Sequence, residues 1–440
     1  MAKRNTKEIF FLLSPGASIL DSWLPIIKEL KEIDREVRIY LVVPNLNIFL
    51  QLISNNVLVD ILYSLSDGVY IQSPSGKVWF QKNSIVERSG KQRRRLYYKN
   101  IIINKLIENP KTTVASLVSQ FAKFIIDLKF YSLGAKKIKI EDFWIKANNR
   151  VLLYDIHVEE KQAISKLLKN FNFQKKYSIC HGIDVGVNMS NKKLFLEKGC
   201  PINVLMYSFN EKEYYNDLFG KNDITLSVIG IPRHDDEYIS FIKEYKKLDF
   251  ADEKVMLLIS RPSSEFLPYY RKKKAIEEIK QIAIDENFKI LIKLHPKEFD
   301  SKIYESVLGK DTEGVLWEYT SLHVFQLAER VKFAMTFFSG VAIDLIKLGI
   351  PTLEYLNLRG LDDYDNKFSL RDGGVPVFSY RYWGLVAGID SVDDLRNTVH
   401  CIMKNQYKLF DKVKYNYRVN FGSVMPNKLV AEKILNLSNV

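Results

Sequence analysis

Residues 287–301 read NFKILIKLHPKEFDS. The apolar run from Ile290 to Leu294, broken only by Lys293, stops abruptly at His295-Pro296. A short apolar run bounded by a polar turn and a proline reads as a strand buried on both faces, the kind found inside parallel sheets. Its neighbours agree. Upstream lie a strand-like EKVMLLIS (253–260), a loop RPSSEFLPYY (261–270) and helical spacing in RKKKAIEEIKQIAIDE (271–286). Downstream follow SLHVFQLAERV (321–331), KFAMTFF (332–338), the turn Ser339-Gly340, VAIDLIKLG (341–349) and IPTLEYL (350–356). Strand and helix patterns alternate regularly from 254 to 357, which predicts a doubly wound parallel sheet with helices on both faces.

The same alternation recurs outward from this block. INVLMYS (202–208), NEKEYYNDLF (210–219), ITLSVIG (224–230) and IPRHDDEYISFIKEYKKL (231–248) form a series that reads as the start of the second domain. The chain opens with EIFFLL (8–13), SPGAS (14–18), ILDSWLPIIKELKEI (19–33) and REVRIYLVVP (35–44), again strand, loop, helix and strand. Between 57 and 100, turn signals separate β-rich runs, as in SDGVYIQSPSGKVWF, and predict a local hairpin. VASLVSQFAKFIIDLKFYSLG (114–134) reads as an amphipathic helix. The expected organisation is a first Rossmann-like domain over 1–205, a second over 206–425 that binds a nucleotide donor, and a final helix over 426–440 packing back across the first.

Composition narrows the function classes. With 47% apolar and 27% charged residues, the chain has the composition of a globular protein rather than a disordered one. Cys180, Cys200 and Cys401 form neither a disulfide framework nor a metal-ligand spacing, so a reducing compartment is expected. The first apolar run is too short for a signal peptide, and no stretch approaches the ~20 apolar residues of a membrane span. The expected location is cytoplasmic, including the inner face of the cell membrane. The net charge of +13 points to anionic partners, and the densest patch, RSGKQRRRLYYKN (88–100), contains Arg93, Arg94 and Arg95. These fit an anionic lipid surface or a phosphorylated acceptor. Nucleic acid is not expected: no zinc finger, helix-turn-helix or RNP-type strand is present.

Chemistry in doubly wound sheets sits outside the carboxyl ends of the strands, where loops meet helix N-termini and phosphate is favoured. Three features fall on that edge of the second domain: the loop from Arg261 through Ser263 to Glu265, the pair His295-Pro296, and Ser339-Gly340. Proline fixes the backbone leaving the strand. The imidazole, the Ser339 hydroxyl and N–H groups from Gly340 onward can then donate to phosphate oxygens. Arg233 and Arg261 are candidates for a bidentate phosphate contact, and Glu354 for accepting ribose hydroxyls. In the first domain, KKYSICHGIDVGVNMS (175–190) carries His181, a candidate general base, beside Asp184, which could orient it or act as the base itself. Asp67 in SLSDGVY is a third candidate for that role. Asp155, His157, Glu159 and Glu160 are close in sequence, but no further cluster supports a metal site, and no metal or cofactor is expected. Ser14 and Gly16, in the first strand-to-helix loop, and Arg93 to Arg95 are assigned to the acceptor side.

Four segments in order, CHGIDVG, IGIPRHDD, IKLHP and TFFSGVAIDLIKLGIPTLEY, resemble the CDP-glycerol glycerophosphotransferase family, the teichoic-acid primases and polymerases. The likeness spans roughly residues 178 to 440. It implies a GT-B fold, two Rossmann-like domains facing across a cleft, with His181 as the base, Gly230, Pro232 and Arg233 entering the donor domain, and His295 and Ser339 holding the donor's phosphates. GT-B bacterial sialyl- and polysialyltransferases also carry His-Pro and serine motifs, and both groups use cytidine nucleotides. The departures are His181-Gly182-Ile183-Asp184 where the family has His-Gly-Thr-Pro, and Ser339-Gly340 where it has Ser-Ser; they put glycerol phosphate itself in doubt as the transferred group. The expected activity is transfer of a sugar or polyol phosphate from a cytidine-activated donor to a hydroxyl of a glycan or lipid-linked surface polymer. The alternatives are a UDP-sugar transferase or nucleotide-sugar 2-epimerase on the same fold, and a non-catalytic nucleotide-binding scaffold.

Overall fold

The structure, a computed structural model, describes residues 7–13, 19–45, 48, 56–81, 123, 126–127, 135–138, 150–156, 173–180, 182, 202–219, 224–245, 254–295, 298, 302–359, 370–372, 374–406, 408–422 and 425–436. They form two compact units, with the crossings near Asp235 and residue 424.

The first unit is built on strands β1 (Glu8–Leu12), β2 (Arg38–Val43), β3 (Gly68–Gln72), β4 (Val78–Gln81), β5 (Lys136–Ile138), β6 (Arg150–Asp155), β7 (Lys175–Ile179), β8 (Ile202–Met206) and β9 (Ile224–Val228). Their order is β5-β4-β3-β2-β1-β6-β7-β8-β9. From β3 to β9 every neighbouring pair runs parallel. The chain winds outward from β1 through β2 to β3, then returns to lay β6 on the other side of β1. That reversal is a topological switch point. Burial of every residue of β6 and nearly all of β1 explains the apolar runs over 151–154 and 9–12.

The hairpin expected between 57 and 100 is present as antiparallel β3–β4, turned at Gly76 with φ of 81°. Asp127 holds the hairpin by accepting from Ser75 Oγ (2.8 Å), Lys77 Nζ (2.7 Å) and Trp79 Nε1 (3.3 Å). Helix Asn56–Leu65, just before it, was not anticipated from the sequence. Of the helix expected over 114–134, only 123, 126 and 127 are among the described residues.

The border expected at 205/206 would cut β8 in two. β8 pairs in register with β7, and β9 with β8, so both extend the first sheet. The first unit therefore runs on to the turn Pro232–His234, and the chain leaves it after Asp235. The closing helix, Asn427–Leu435, returns to the first unit. It packs on helix Leu20–Ile33, and its terminal carbonyls accept from Lys7 Nζ (3.0 Å) and the Tyr177 hydroxyl (3.2 Å).

The second unit carries β10 (Val255–Ile259), β11 (Lys289–Lys293), β12 (Trp317–Tyr319), β13 (Val331–Thr336), β14 (Thr352–Tyr355) and β17 (Ala387–Ile389), ordered β12-β11-β10-β13-β14-β17 and parallel throughout. A separate antiparallel pair is formed by β15 (Leu370–Asp372) and β16 (Val375–Val377). The winding repeats that of the first unit, with the switch between β10 and β13. Each strand and helix read between residues 254 and 357 is observed, the helix expected over 321–331 shortening to Val324–Leu327, while helix Lys302–Leu308 and strand β12 were not anticipated from the sequence.

Candidate active site

The carboxyl ends of β10 and β13 diverge at the second unit's switch point, and their loops are tied together there. Arg261, two residues beyond β10, donates from Nη1 to the Phe338 carbonyl, 2.8 Å away, just beyond β13. Its guanidinium lies over two aromatic rings, 4.8 Å from the Phe266 centroid and 5.0 Å from that of Phe338. Phe338 has a φ of 120°, a conformation that costs of order 1–3 kcal/mol for a non-glycine residue. It is held there by stacking on Phe378 at 4.2 Å and by an N–H donated to Thr336 Oγ1 at 3.1 Å. The strained residue turns the chain into Ser339-Gly340. Ser339 Oγ accepts from the Val341 N–H at 3.4 Å, so its proton is directed elsewhere. At Gly340 a Cβ would sit 3.3 Å from the Tyr380 hydroxyl.

Glu354 lies on β14, one strand further from the switch. It is 2% exposed, and its Oε2 has no hydrogen-bond partner. Burial pushes its carboxyl up to about 7, against the opposing pull of the Arg381 and Arg261 charges, while Asp390 adds to the rise. Arg381 and Asp390 form a two-pronged ion pair (2.5 and 2.8 Å). That pair holds Asp390 ionised at lower pH than usual and spends much of the arginine's charge away from Glu354. The arginine side chain crosses Gly388, where a Cβ would fall 2.2 Å from Nε; only glycine fits beneath it. A buried carboxyl with an empty acceptor position at a sheet's ligand edge is poised to accept hydroxyl groups from a bound molecule.

His295 is half-buried at the end of β11, and its carbonyl accepts from the Glu298 N–H at 2.8 Å. His295, Arg261, Ser339 and Glu354 therefore share one edge of one sheet, as the sequence predicts. Ser263 is exposed in the same loop as Arg261, whereas its neighbour Ser264 is more enclosed and has a hydroxyl without a partner. Pro296 lies outside the described residues.

In the first unit the assignments divide. Asp67 precedes β3 at the amino edge of the sheet, opposite to the edge that ligands use, and its carboxylate accepts from Lys31 Nζ (2.8 Å) and the Ile39 N–H (2.8 Å). These bonds give it a structural task in closing that edge. Arg233 was expected in the donor domain. It is instead buried in the turn Pro232–His234 of the first unit, where its charge reaches the Tyr207 hydroxyl. The GIPR stretch belongs to the first unit because β9 does. Ser14, Gly16, Arg93, Arg94, Arg95, His181 and Asp184 lie outside the described residues. The strand entering residue 181 is fixed: the Cys180 carbonyl accepts from Ser22 Oγ (3.1 Å) and from the Tyr207 hydroxyl, which are themselves 2.7 Å apart.

Against solved structures, the chain is similar throughout its length to a wall teichoic acid polymerase, TagF, at 14% identity and a TM-score of 0.52, covering 98% of this chain and 89% of that one. The fold is the GT-B fold. A UDP-GlcNAc 2-epimerase of Methanocaldococcus jannaschii, solved with UDP-GlcNAc and UDP, shares it at 13% identity and a TM-score of 0.51, covering 98% and 100% of the two chains. So does MnaA of S. aureus in complex with UDP, at 10% identity, 0.53, 98% and 95%. No protein-family model matches the chain. No curated protein matches it. At these identities the likeness concerns the fold.

Proposed function

We propose that the chain is a GT-B transferase that moves a sugar or polyol-phosphate unit from a cytidine-nucleotide donor to a hydroxyl of a surface glycan or lipid-linked acceptor. The observation that carries the reading is Glu354: a carboxyl 2% exposed, with an unfilled acceptor atom, at the carboxyl edge of a parallel sheet beside Arg261. That is the chemistry a ribose asks for. Glu354 accepts the ribose hydroxyls, while Arg261, His295 and the Ser339 hydroxyl donate to the phosphate oxygens.

In the reaction, His181 or Asp184 takes the proton of the acceptor hydroxyl. The acceptor oxygen then bonds to the sugar carbon or polyol phosphorus as the bond to the departing nucleotide breaks. Negative charge collects on the leaving phosphate, where preorganised donors are worth about 3 kcal/mol each. Protein cations balance the phosphate charge without a metal. The basic stretch from Arg93 to Arg95 suits a phosphorylated acceptor at an anionic membrane and supports a location at the cytoplasmic face. Among the described residues no helix is long and apolar enough to cross a membrane.

The 2-epimerases sharing the fold, one of them solved with UDP-GlcNAc and UDP, favour a second reading, in which a UDP-sugar is the substrate and no acceptor is needed. A thermal-shift screen of CMP, CDP, UDP and GDP separates the two. A selective rise with cytidine nucleotides supports the transferase, a selective rise with UDP supports the second reading, and no rise with any nucleotide refutes both. Free epimer formed from the donor alone would identify the epimerase.

A further inference from the structure

A buried ion pair sits directly behind the candidate phosphate-binding groups. Lys272, on helix Tyr269–Asp285, and Glu298, three residues after His295, have side chains 2% and 3% exposed and are bonded to each other. The lysine Nζ also donates to the Arg261 carbonyl at 2.8 Å, and it lies 5.0 Å from the Tyr304 ring centroid. The glutamate accepts a second bond from Ser260 Oγ, which is joined in turn to the Tyr304 hydroxyl. Its backbone N–H closes the His295 turn at 2.8 Å, and the Ser260 N–H reaches the Lys293 carbonyl at 3.0 Å. Besides each other, the carboxylate and the ammonium thus meet the Ser260 hydroxyl, the Arg261 carbonyl and the Tyr304 ring.

Stability alone does not account for such a pair, because removing both charges from water costs about what their attraction returns, and an apolar pair of similar volume is often as stable. What the charges supply is direction. Lysine's donors and the carboxylate's two oxygens fix where the Arg261 carbonyl and the His295 turn lie relative to each other. Unlike Glu354, both groups already spend their polar atoms on protein partners, so their part is to position the loops rather than to hold a ligand.

We infer that Lys272 and Glu298 are positioning residues, a clamp that holds the Arg261 loop and the His295 loop of the second unit in one register for a phosphate group; the ligand part of this inference rests on the nucleotide reading above. The sequence conceals the clamp. Lys272 stands in the run RKKKA, which looks like a solvated basic face, yet it lies on the same helical stripe as Ala275, Ile276, Ile279, Ile282 and Ala283.

The test uses the full-length protein with Glu298→Gln, Lys272→Met and Ser260→Ala. The first readout needs no ligand: amide hydrogen exchange over 258–264 and 293–298. Exchange should rise at least tenfold in both segments in either charge variant, with 331–347 unchanged. A rise in only one segment, or in neither, overturns the clamp. If a charge variant fails to fold, Ser260→Ala decides on the same criterion with a threefold rise, since it removes a link and keeps the ion pair. The second readout is calorimetric affinity for CDP and UDP. Wild type and E298Q compared at a temperature where both are folded should differ at least tenfold in Kd, with E298D recovering part of the loss. Equal affinities overturn the inference. A wild-type protein that binds neither nucleotide refutes the nucleotide reading instead, and the exchange result then decides the clamp by itself.

Discussion

Replacing Glu354 by glutamine should change two properties in opposite senses, and the magnitudes follow from its burial. The carboxyl titrates at about 7 in the folded protein against an ordinary 4.5. Below about pH 4.5 the group is protonated in both folded and unfolded chains and contributes nothing. Between 4.5 and 7 the folded state keeps the proton that the unfolded state has lost, so stability falls as pH rises. Above 7 both are ionised, and the full cost of the buried charge is present. A shift from 4.5 to about 7 corresponds to about 3 kcal/mol, most of it arising between pH 5 and pH 8. Glu354→Gln removes the titration. A buried amide brings its own cost, but that cost is the same at every pH.

The quantity to measure is therefore the difference in unfolding free energy between wild type and E354Q, by urea denaturation at half-unit steps from pH 5 to 8. Other titrating groups cancel in the difference, which should move by about 2–3 kcal/mol in favour of the variant across the window. At pH 8, where the wild-type carboxyl is ionised, E354Q should bind nucleotide about 10- to 100-fold more weakly than wild type, the loss of charge-assisted bonds to ribose hydroxyls. Wild-type affinity should itself fall as pH drops below 7. Parallel stability curves for the two proteins would refute the buried, unpartnered placement of the carboxyl. Unaltered nucleotide binding would refute its role.

His295→Ala should weaken donor binding and turnover together by at least tenfold without unfolding the protein, whereas His181→Ala should abolish transfer and leave nucleotide affinity within about twofold; calorimetry and a transfer assay on each variant check both. Gly388→Ala forces a methyl into the Arg381 side chain and should cost about 1–3 kcal/mol. In an Arg381→Ala background the same change should cost much less, and equal costs in urea unfolding would contradict the packing. Tyr207→Phe removes a buried hydroxyl from the Cys180 carbonyl and Ser22. It should lower stability by about 1 kcal/mol, since Ser22 remains to satisfy the carbonyl, and a loss above about 3 kcal/mol in the same unfolding assay would show that Ser22 does not.

Much of the fold is legible in the apolar runs. Strands buried on both faces carry apolar runs, as β10 does throughout and β6 does over 151–154, and the helices between them must show a single apolar stripe, so the alternation survives in the sequence. Where one sheet ends and the next begins leaves no such trace. β8 and β9 carry the same strand-helix-strand pattern as the second unit, and only their pairing with β7 assigns them to the first. The same blindness misplaced Arg233, which follows β9 into the first unit.

The placement of the candidate residues was legible where they follow or end a strand, as at Arg261, His295, Ser339 and Glu354. It was hidden where a residue's role depends on a distant partner. Asp67 looks like an acid before a glycine until Lys31 and Ile39 are seen to occupy it. Arg381 and Asp390, which set the charge around Glu354, belong to a short helix and a strand end with no motif of their own. Lys272 reads as solvent-facing in a basic run, and the burial of its charge becomes visible only with Glu298 beside it.

The account stands on a ribonucleotide bound along the carboxyl edge of the second sheet, its sugar on Glu354 and its phosphates on Arg261 and His295. Calorimetric titration with CDP and with 2′-deoxy-CDP, repeated for UDP and its deoxy form, addresses this directly. Wild type should prefer the ribose form of one nucleotide by about tenfold or more, and that preference should vanish in E354Q. Equal affinity for ribose and deoxyribose forms, or a preference that survives in E354Q, would contradict it.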